Sequence, residues 1–517
     1  MTPATRPLVA VVGGGIAGLA AAWELVGASG GAGEGAGDRL TPDVVVIEAE
    51  GRLGGKLQSM PFAGRTVDLG ADAFLARRPE ATRLVDELGA SDDLVGVGTS
   101  GTSLLAGGAL RPLPDGLVLG IPTRWWALAR SGVLSRREWL RMGYDLVAPR
   151  AAGPRTTTDR AVGDLVAGRL GRGVVDRLVD PLVGGIHAGG VDTLSAAATF
   201  PALLEAWHQP GSLVRRLDPR RTAAVSPPSP PAGAGSDRPA PVFWSLAGGT
   251  ASLVGRLEQG LRAAGATFRL GTRVRALSRT ASGWTIELDP AEDDERYLPA
   301  DGVVLATPAR TTAALLGRHA PRSARILAAV EHASVAVVTV SLPSSAWLAP
   351  RTGTGFLVPR REAIRGRPYL VTGCTYLSDK WPLLARDGDV LVRLSVGRLG
   401  DRRHEELDDD ELTTAVLAEL GTIVPLSSGA IATSVTRWAG AFPQYAVGHL
   451  ERMATIDGEI ADLPGLALAG ATYRGVGIPA CIGTGREAAA AVRRDLARSH
   501  PGLPRSDRSR QSEVGRP

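Results

Sequence analysis

Cysteine is nearly absent from this chain of 517 residues: it occurs only at Cys374 and Cys481, and neither belongs to a CxxC pair. That excludes a disulfide scaffold and the thiolate clusters that hold structural zinc or iron–sulfur centres, so no metal is expected and a reducing, cytoplasmic setting fits. Aromatic residues are scarce as well, at 4%. No segment reaches the ~18 uncharged apolar residues of a membrane span. The apolar stretch from Leu8 to Trp23 follows Arg6 as in a signal peptide, but three consecutive glycines and the closing Glu24 argue against that role. An excess of one charge is missing too. Against 58 basic residues stand 53 acidic ones, with no long basic run, which excludes strong nucleic-acid binding and leaves room for a basic pocket around an acidic ligand. At roughly 100 to 200 residues per domain, the length implies more than one domain.

The residues that are present open with a βαβ pattern. Leu8 to Val12 reads as a buried strand, Gly13 to Gly18 as a tight turn, Leu19 to Val26 as the helix it launches, and Val44 to Ile47 as the second strand. Between them, the glycine-rich stretch from Gly27 to Asp43 reads as a mobile surface insertion. Ala161, Leu165, Leu170, Val174 and Leu178 recur at helical spacing, so the region after Arg77 is expected to be mostly helical, with Asp180-Pro181 ending that run. Pro219 to Pro241 reads as an extended linker. Strands are expected after it at Thr267 to Leu270, Thr285 to Leu288, Gly302 to Ala306 and Val335 to Leu342, and helices at Asp410 to Leu420 and Gly485 to Ala497. Ser499 to Pro517 reads as a disordered tail.

The run Gly13, Gly14, Gly15, Ile16, Ala17, Gly18 satisfies GxGxxG directly between a strand and a helix. Glycine lets the backbone approach a pyrophosphate, and the helix N-terminus offers it unpaired N–H groups and a positive dipole end. Glu48 closes the second strand, where a carboxylate can accept from both ribose hydroxyls of an adenosine; a solvated strand-end glutamate is the plain alternative. Arg52 and the pair Gly54-Gly55 follow, placing a guanidinium near phosphate oxygens and letting backbone pass close beside a cofactor. This continuation favours a flavin over a nicotinamide dinucleotide.

Over the dozen residues EAEGRLGGKLQS, Glu48 to Ser59, the chain resembles the flavin amine oxidase superfamily. The resemblance implies that Glu48 and Ala49 meet the FAD ribose and that Arg52, Gly55 and Lys56 flank its pyrophosphate and ring. It continues in VDLGADAFLAR, Val67 to Arg77, where Gly70, Ala71, Asp72 and Ala73 would run beside the flavin. It continues again in GTRVRAL, where Val274 would meet the adenine through its backbone. Near the C-terminus, LALAGATYRGVGIPACIGTGREAAAAV reads as a strand, a glycine-rich loop and an alanine-rich helix. There Gly470, Ile478, Pro479 and Ala480 would face the flavin, and a helix N-terminus would stabilise its anionic reduced form.

Three stretches resemble the porphyrinogen oxidases within that superfamily: Pro181 to Pro201, Thr436 to His449, which contains the expected cofactor contact Trp438, and Tyr473 to Gly485. GGKLQ, GTGFLV and CTYLSDKWP are similar to the bacterial Gram-positive branch, which acts on coproporphyrinogen III. The aromatic pair of the amine-oxidising members is not identified. The resemblance implies an FAD-dependent oxidase taking a porphyrinogen and dioxygen, cytoplasmic, with a ferrochelatase downstream; protoporphyrinogen is the second substrate candidate and an amine the third. Arg77, Arg78 and Arg474 are candidates for binding the substrate's carboxylates, each with a solvated surface charge as its alternative. His187 and His449 are read as structural, and no catalytic side chain is assigned. The expected fold is α/β, a Rossmann-like FAD-binding domain interleaved with a mixed α+β substrate-binding domain. The first comprises residues 1–85, 243–325 and 440–498. The second comprises a mostly helical part, 86–218, and a sheet-rich part, 326–439, with a Pro-rich linker at 219–242 and a disordered tail at 499–517.

Overall fold

The computed structural model describes residues 6–27, 41–147, 158–219, 241–289 and 296–499. Nearly all of the expected surface insertion, the Pro-rich linker and the C-terminal tail lie outside the described residues. The elements that frame the site are, in chain order, β1 (Leu8–Val12), α1 (Ile16–Leu25), β2 (Asp43–Ile47), β3 (Ser103–Ala106) and β4 (Ala109–Pro112). They are followed by α2 (Val162–Leu170), β5 (Thr267–Arg269), β6 (Arg273–Arg279), β7 (Gly302–Leu305), α3 (Ala309–Leu316) and β8 (His332–Pro343). The last part adds β9 (Gly355–Leu357), β10 (Val371–Tyr376), β11 (Asp389–Val396), β12 (Ala432–Pro443), β13 (Leu466–Leu468) and α4 (Ile478–Ser499).

Two sheets organise the molecule. The first is parallel, in the order β5-β2-β1-β7-β13, with Val12 level with both Ile47 and Leu305. Val9 and Val11 face one hydrophobic core, Ala10 and Val12 the other. A parallel strand buried on both faces must be apolar at every position, which is why these strands read as continuous runs of Val, Ile and Leu. The second sheet is mixed, in the order β12-β8-β11-β10-β9-β3-β4. A separate helical core contains Leu165, Leu178 and Leu203.

The structure departs from the sequence reading in four places. α1 starts at Ile16 rather than Leu19, so the turn is Gly13 to Gly15 alone. α4 starts at Ile478 rather than Gly485, which places Gly483 and Gly485 inside the helix instead of in the loop before it. Packing overrides local propensity there: a Cβ on Gly485 would stand 2.1 Å from Ala17 O, so the missing side chain is what lets α4 lie against α1. Asp180-Pro181 does not end the helical run, because a π-helix spans Val175–Gly184 with Pro181 inside it. The wider π turn displaces the carbonyl that a proline ring strikes in an α-helix. The stretch after Arg77 is less helical than expected, since β3 pairs in parallel with β9 and β4 pairs with β3 at the edge of the mixed sheet. Their short length and pairing to a strand some 250 residues away leave little local signal.

Candidate active site

The Glu48 carboxylate ties the end of β2 to the turn after β1. Gly14 N donates to its Oε2 at 2.6 Å and Glu50 N to its Oε1 at 2.9 Å. Gly13 has φ +107°, and a Cβ there would lie 2.6 Å from Ala306 O, so the turn requires glycine. Beyond it the surface opens: nothing lies within 4 Å of where a Cβ on Gly15 would stand. Gly15 caps α1 without a side-chain acceptor, and no acidic residue occupies the first turn through Ile16, Ala17 and Gly18. The leading N–H groups of α1 therefore point to a place that suits an anion.

The segment after Glu48 closes this cradle. Gly54 N donates to Gly14 O at 2.8 Å, and Arg52 holds its own loop by donating from Nη2 to Gly55 O at 3.0 Å. Ala49 is exposed beside them. Glu48 N donates to Arg269 O and Thr272 N to Glu48 O, both at 2.9 Å, which sets the start of β6 and its buried Val274 beside the strand end. Gly470 N donates to Thr484 Oγ1 at 3.0 Å, which fixes this glycine against α4. Ile478, Pro479 and Ala480 form the first turn of α4.

Gly70 passes so close to Lys56 that a Cβ would stand 2.2 Å from Lys56 O and 3.4 Å from the Trp438 ring. Trp438 Nε1 donates to Leu69 O at 3.0 Å, fixing the indole against this segment. Ala71 O accepts from Thr250 Oγ1 at 2.7 Å, and Ala73 packs at the edge of a small core. Asp72 directs its buried carboxylate to Lys380 Nζ at 2.8 Å, Trp381 Nε1 at 3.1 Å and Arg393 Nη2 at 3.2 Å. Burial alone would raise its pKa, but the Arg393 and Lys380 charges overcome that and hold it far below the ordinary carboxylate range.

A cavity of about 460 Å³ adjoins the cradle at Lys56. Arg310 from α3, His332 from β8, and Arg398, Arg402 and Glu405 from the loop after β11 also line it. Lys56 is exposed to the cavity, yet the protein packed around it lowers its ammonium pKa, with the nearby Cys481 thiol acting in the opposite sense. Burial likewise lowers His332, and the Lys56 and Arg310 charges add to the effect. Glu405 bonds Arg402 at 2.7 Å, so the remaining cations leave the cavity strongly positive. None of Arg77, Arg78 and Arg474 lines it. All three are exposed; Arg78 pairs with Glu80 at 2.6 Å and Arg474 with Asp457 at 2.8 Å. Sequence reasoning passed over Arg310, Arg398 and Arg402 because no local pattern marks them; only the approach of α3, β8 and the loop after β11 brings them together.

Two buried histidines support the loop before α4. His449 stacks on Tyr445 with ring centroids 4.0 Å apart and bonds Tyr473 O at 2.9 Å. Tyr445 OH in turn donates to Ala471 O at 2.5 Å and accepts from Gly475 N at 2.7 Å. His187 is buried near Tyr445, its Nδ1 without a partner, and burial holds its pKa down to about 4.

A parallel sheet whose first βα turn has an open glycine cradle, a strand-end carboxylate tied to that turn and an uncapped helix N-terminus defines a dinucleotide-binding protein, and the described residues fit FAD. The chain belongs to the family of flavin containing amine oxidoreductases, whose model matches residues 16–493. It is 37% identical to a coproporphyrinogen III oxidase of Propionibacterium freudenreichii, covering 93% of this chain and 89% of that protein. It is 32% identical to a coproporphyrinogen III oxidase of Bacillus subtilis, covering 93% of this chain and 96% of that one. Among solved structures, one from Exiguobacterium sp. 255-15, provisionally assigned as a protoporphyrinogen oxidase, superposes with a TM-score of 0.80 at 30% identity over 95% of this chain and 99% of that chain. The protein is an FAD-dependent oxidase with the interleaved flavin amine oxidase fold.

Proposed function

We propose that the enzyme oxidises coproporphyrinogen III to coproporphyrin III in haem biosynthesis, with dioxygen as acceptor. The observation that carries this reading is the identity of 32% and 37% to two coproporphyrinogen III oxidases over nearly the full length of each chain. A positively charged cavity beside the cofactor cradle is consistent with a flat substrate bearing four propionates. FAD, when bound, supplies two-electron oxidation of the macrocycle, and three such turnovers remove six electrons.

The chain's own work is to bind and orient. The first turn of α1 would hold the pyrophosphate, and Glu48 the adenosine ribose, with Arg52, Gly55 and Lys56 along the phosphates and ring. The main chain from Gly70 to Ala73, Trp438, Gly470 and the first turn of α4 would border the isoalloxazine. The positive end of α4 would favour negative charge there. Val274 would meet the adenine. We assign no side chain as base. The division into a discontinuous FAD-binding unit of 1–85, 243–325 and 440–498 and a substrate unit between these segments belongs to the same reading. So do a cytoplasmic location and a ferrochelatase as recipient of the product; no helix among the described residues is long and apolar enough to cross a membrane.

Anaerobic mixing of the purified flavoprotein with coproporphyrinogen III, and separately with protoporphyrinogen IX, tests the reading. Bleaching of the oxidised flavin band by coproporphyrinogen, followed by porphyrin fluorescence and peroxide on aeration, is the expected result. Bleaching by protoporphyrinogen alone would transfer the activity to the reading favoured by the Exiguobacterium structure. No bleaching by either would sink the proposal.

A further inference from the structure

We propose that Arg310 and Arg398 form a carboxylate subsite that makes this enzyme prefer a porphyrinogen with four propionates over one in which two of them have become vinyl groups. The inference deepens the functional reading above and rests on it.

Arg398 is the anchor of the argument. It follows β11 on a loop that crosses β8 so closely that a Cβ on Gly397 would stand 2.7 Å from Ser334 O. Arg398 is partly buried in the cavity wall, and among the described residues no hydrogen bond or close ion pair engages its guanidinium. The carboxylates that act on it, Asp180 and Asp401, are already engaged, Asp180 by Arg360 and Asp401 by Arg403 at 2.6 Å. A partly buried guanidinium that lines a cavity and has no protein acceptor is placed to receive an anion from solvent. Arg310 is exposed at the rim of the same cavity and makes no hydrogen bond among the described residues, and it is near enough to His332 for its charge to act on the imidazole together with that of Lys56. The cavity's carboxylate, Glu405, is bonded to Arg402 and does not neutralise either.

Lys56 serves the cofactor cradle, which leaves Arg310 and Arg398 as the cations with open donors on the substrate side. Each can accept a propionate by a charge-assisted, two-pronged hydrogen bond. A vinyl group offers no acceptor, so the same two arginines would stay unpaired against a substrate lacking those propionates. The rest of the macrocycle is common to both substrates, so the difference between them falls on this subsite.

The test uses the flavin-loaded enzyme with Arg310→Gln, Arg398→Gln and the double variant. KM for coproporphyrinogen III is expected to rise at least about tenfold for each, the scale of one charge-assisted hydrogen bond, with kcat and the flavin spectrum little changed. KM for protoporphyrinogen IX should move less than about threefold. Arg398→Lys should recover part of the loss. Fluorescence titration with coproporphyrin III should weaken in parallel, while its tetramethyl ester binds wild type and variants equally. Thermal unfolding of Arg398→Gln should match wild type, because the guanidinium has no protein hydrogen bond or close ion pair to lose. Equal losses with both porphyrinogens, no loss with either, or a variant that unfolds earlier and loses both activities would each overturn the subsite. If wild type oxidises neither porphyrinogen, the functional reading fails. The titration with coproporphyrin III still decides the subsite, since equal or absent binding by wild type and variants overturns it and weaker binding by the variants upholds it.

Discussion

Asp72 is held charged in the protein interior by Lys380, Arg393 and Trp381, and it joins the segment beside Gly70 to the mixed sheet. Replacing one member of such a buried set leaves the others uncompensated. Asp72→Asn should therefore lower the unfolding free energy by about 3–5 kcal/mol, read from the urea midpoint; an unchanged midpoint would show that the network contributes nothing. Glu48 has a different part. Its carboxylate accepts from Gly14 N and Glu50 N, and on the proposed reading also from the ribose. Glu48→Ala should weaken flavin retention by roughly ten- to a hundredfold, one or two lost hydrogen bonds to a charged group. Flavin content after gel filtration and titration of the apoprotein with FAD measure it. Glu48, Arg52 and the glycines were legible in the sequence because they lie within one βαβ unit and its continuation. Lys380 and Arg393 were not, since nothing near either residue announces a partner some 300 positions away.

At the scale of elements, the crossing of α1 and α4 decides whether the cradle keeps its shape. The Gly485 site meets Ala17 O and Ala21 N, so any side chain pushes the two helices apart. Gly485→Val is expected to cost more than about 3 kcal/mol by overpacking and to release flavin, because α1 follows the turn that on the proposed reading faces the pyrophosphate. Thermal unfolding with and without added FAD tests this. Retention of full flavin content would show that the crossing is adaptable. The same crossing explains why α4 begins seven residues earlier than its alanine-rich portion suggests. Gly483 and Gly485 are poor helix formers in isolation, and the contact with α1 outweighs their propensity. Pro181 teaches a similar lesson, as a π-helical stretch carries it where an α-helix would break.

The whole molecule should respond to acid through its buried histidines. His187 has its folded pKa held down to about 4 by burial, below the ordinary value near 6.5. Above pH 6.5 the ring is neutral in both states and imposes no penalty. As pH falls below 6.5 the unfolded chain takes up a proton that the folded protein refuses, so stability declines until the folded pKa is reached, by on the order of 3 kcal/mol for this one residue. His332, His404 and His449 are lowered in the same direction, each mainly by burial. Melting temperature is expected to drop between pH 7 and pH 5, and His187→Gln should flatten that slope; identical slopes in wild type and variant would remove His187 from the account.

The sequence by itself determined the parallel sheet, the glycine turn, the glutamate at the end of β2 and the family, because each depends on residues close together whose spacing carries the geometry. Tertiary structure alone decided three things. It selected the starting point of α4 through a backbone-to-backbone approach. It spliced β3 and β4 into a sheet made mostly of residues beyond position 330. It also gathered Lys56, Arg310 and Arg398 around one open cavity and left Arg77, Arg78 and Arg474 outside it. Whether an arginine faces a substrate or solvent depends on which distant elements pack around it, and that information is distributed over the whole chain rather than written beside the residue.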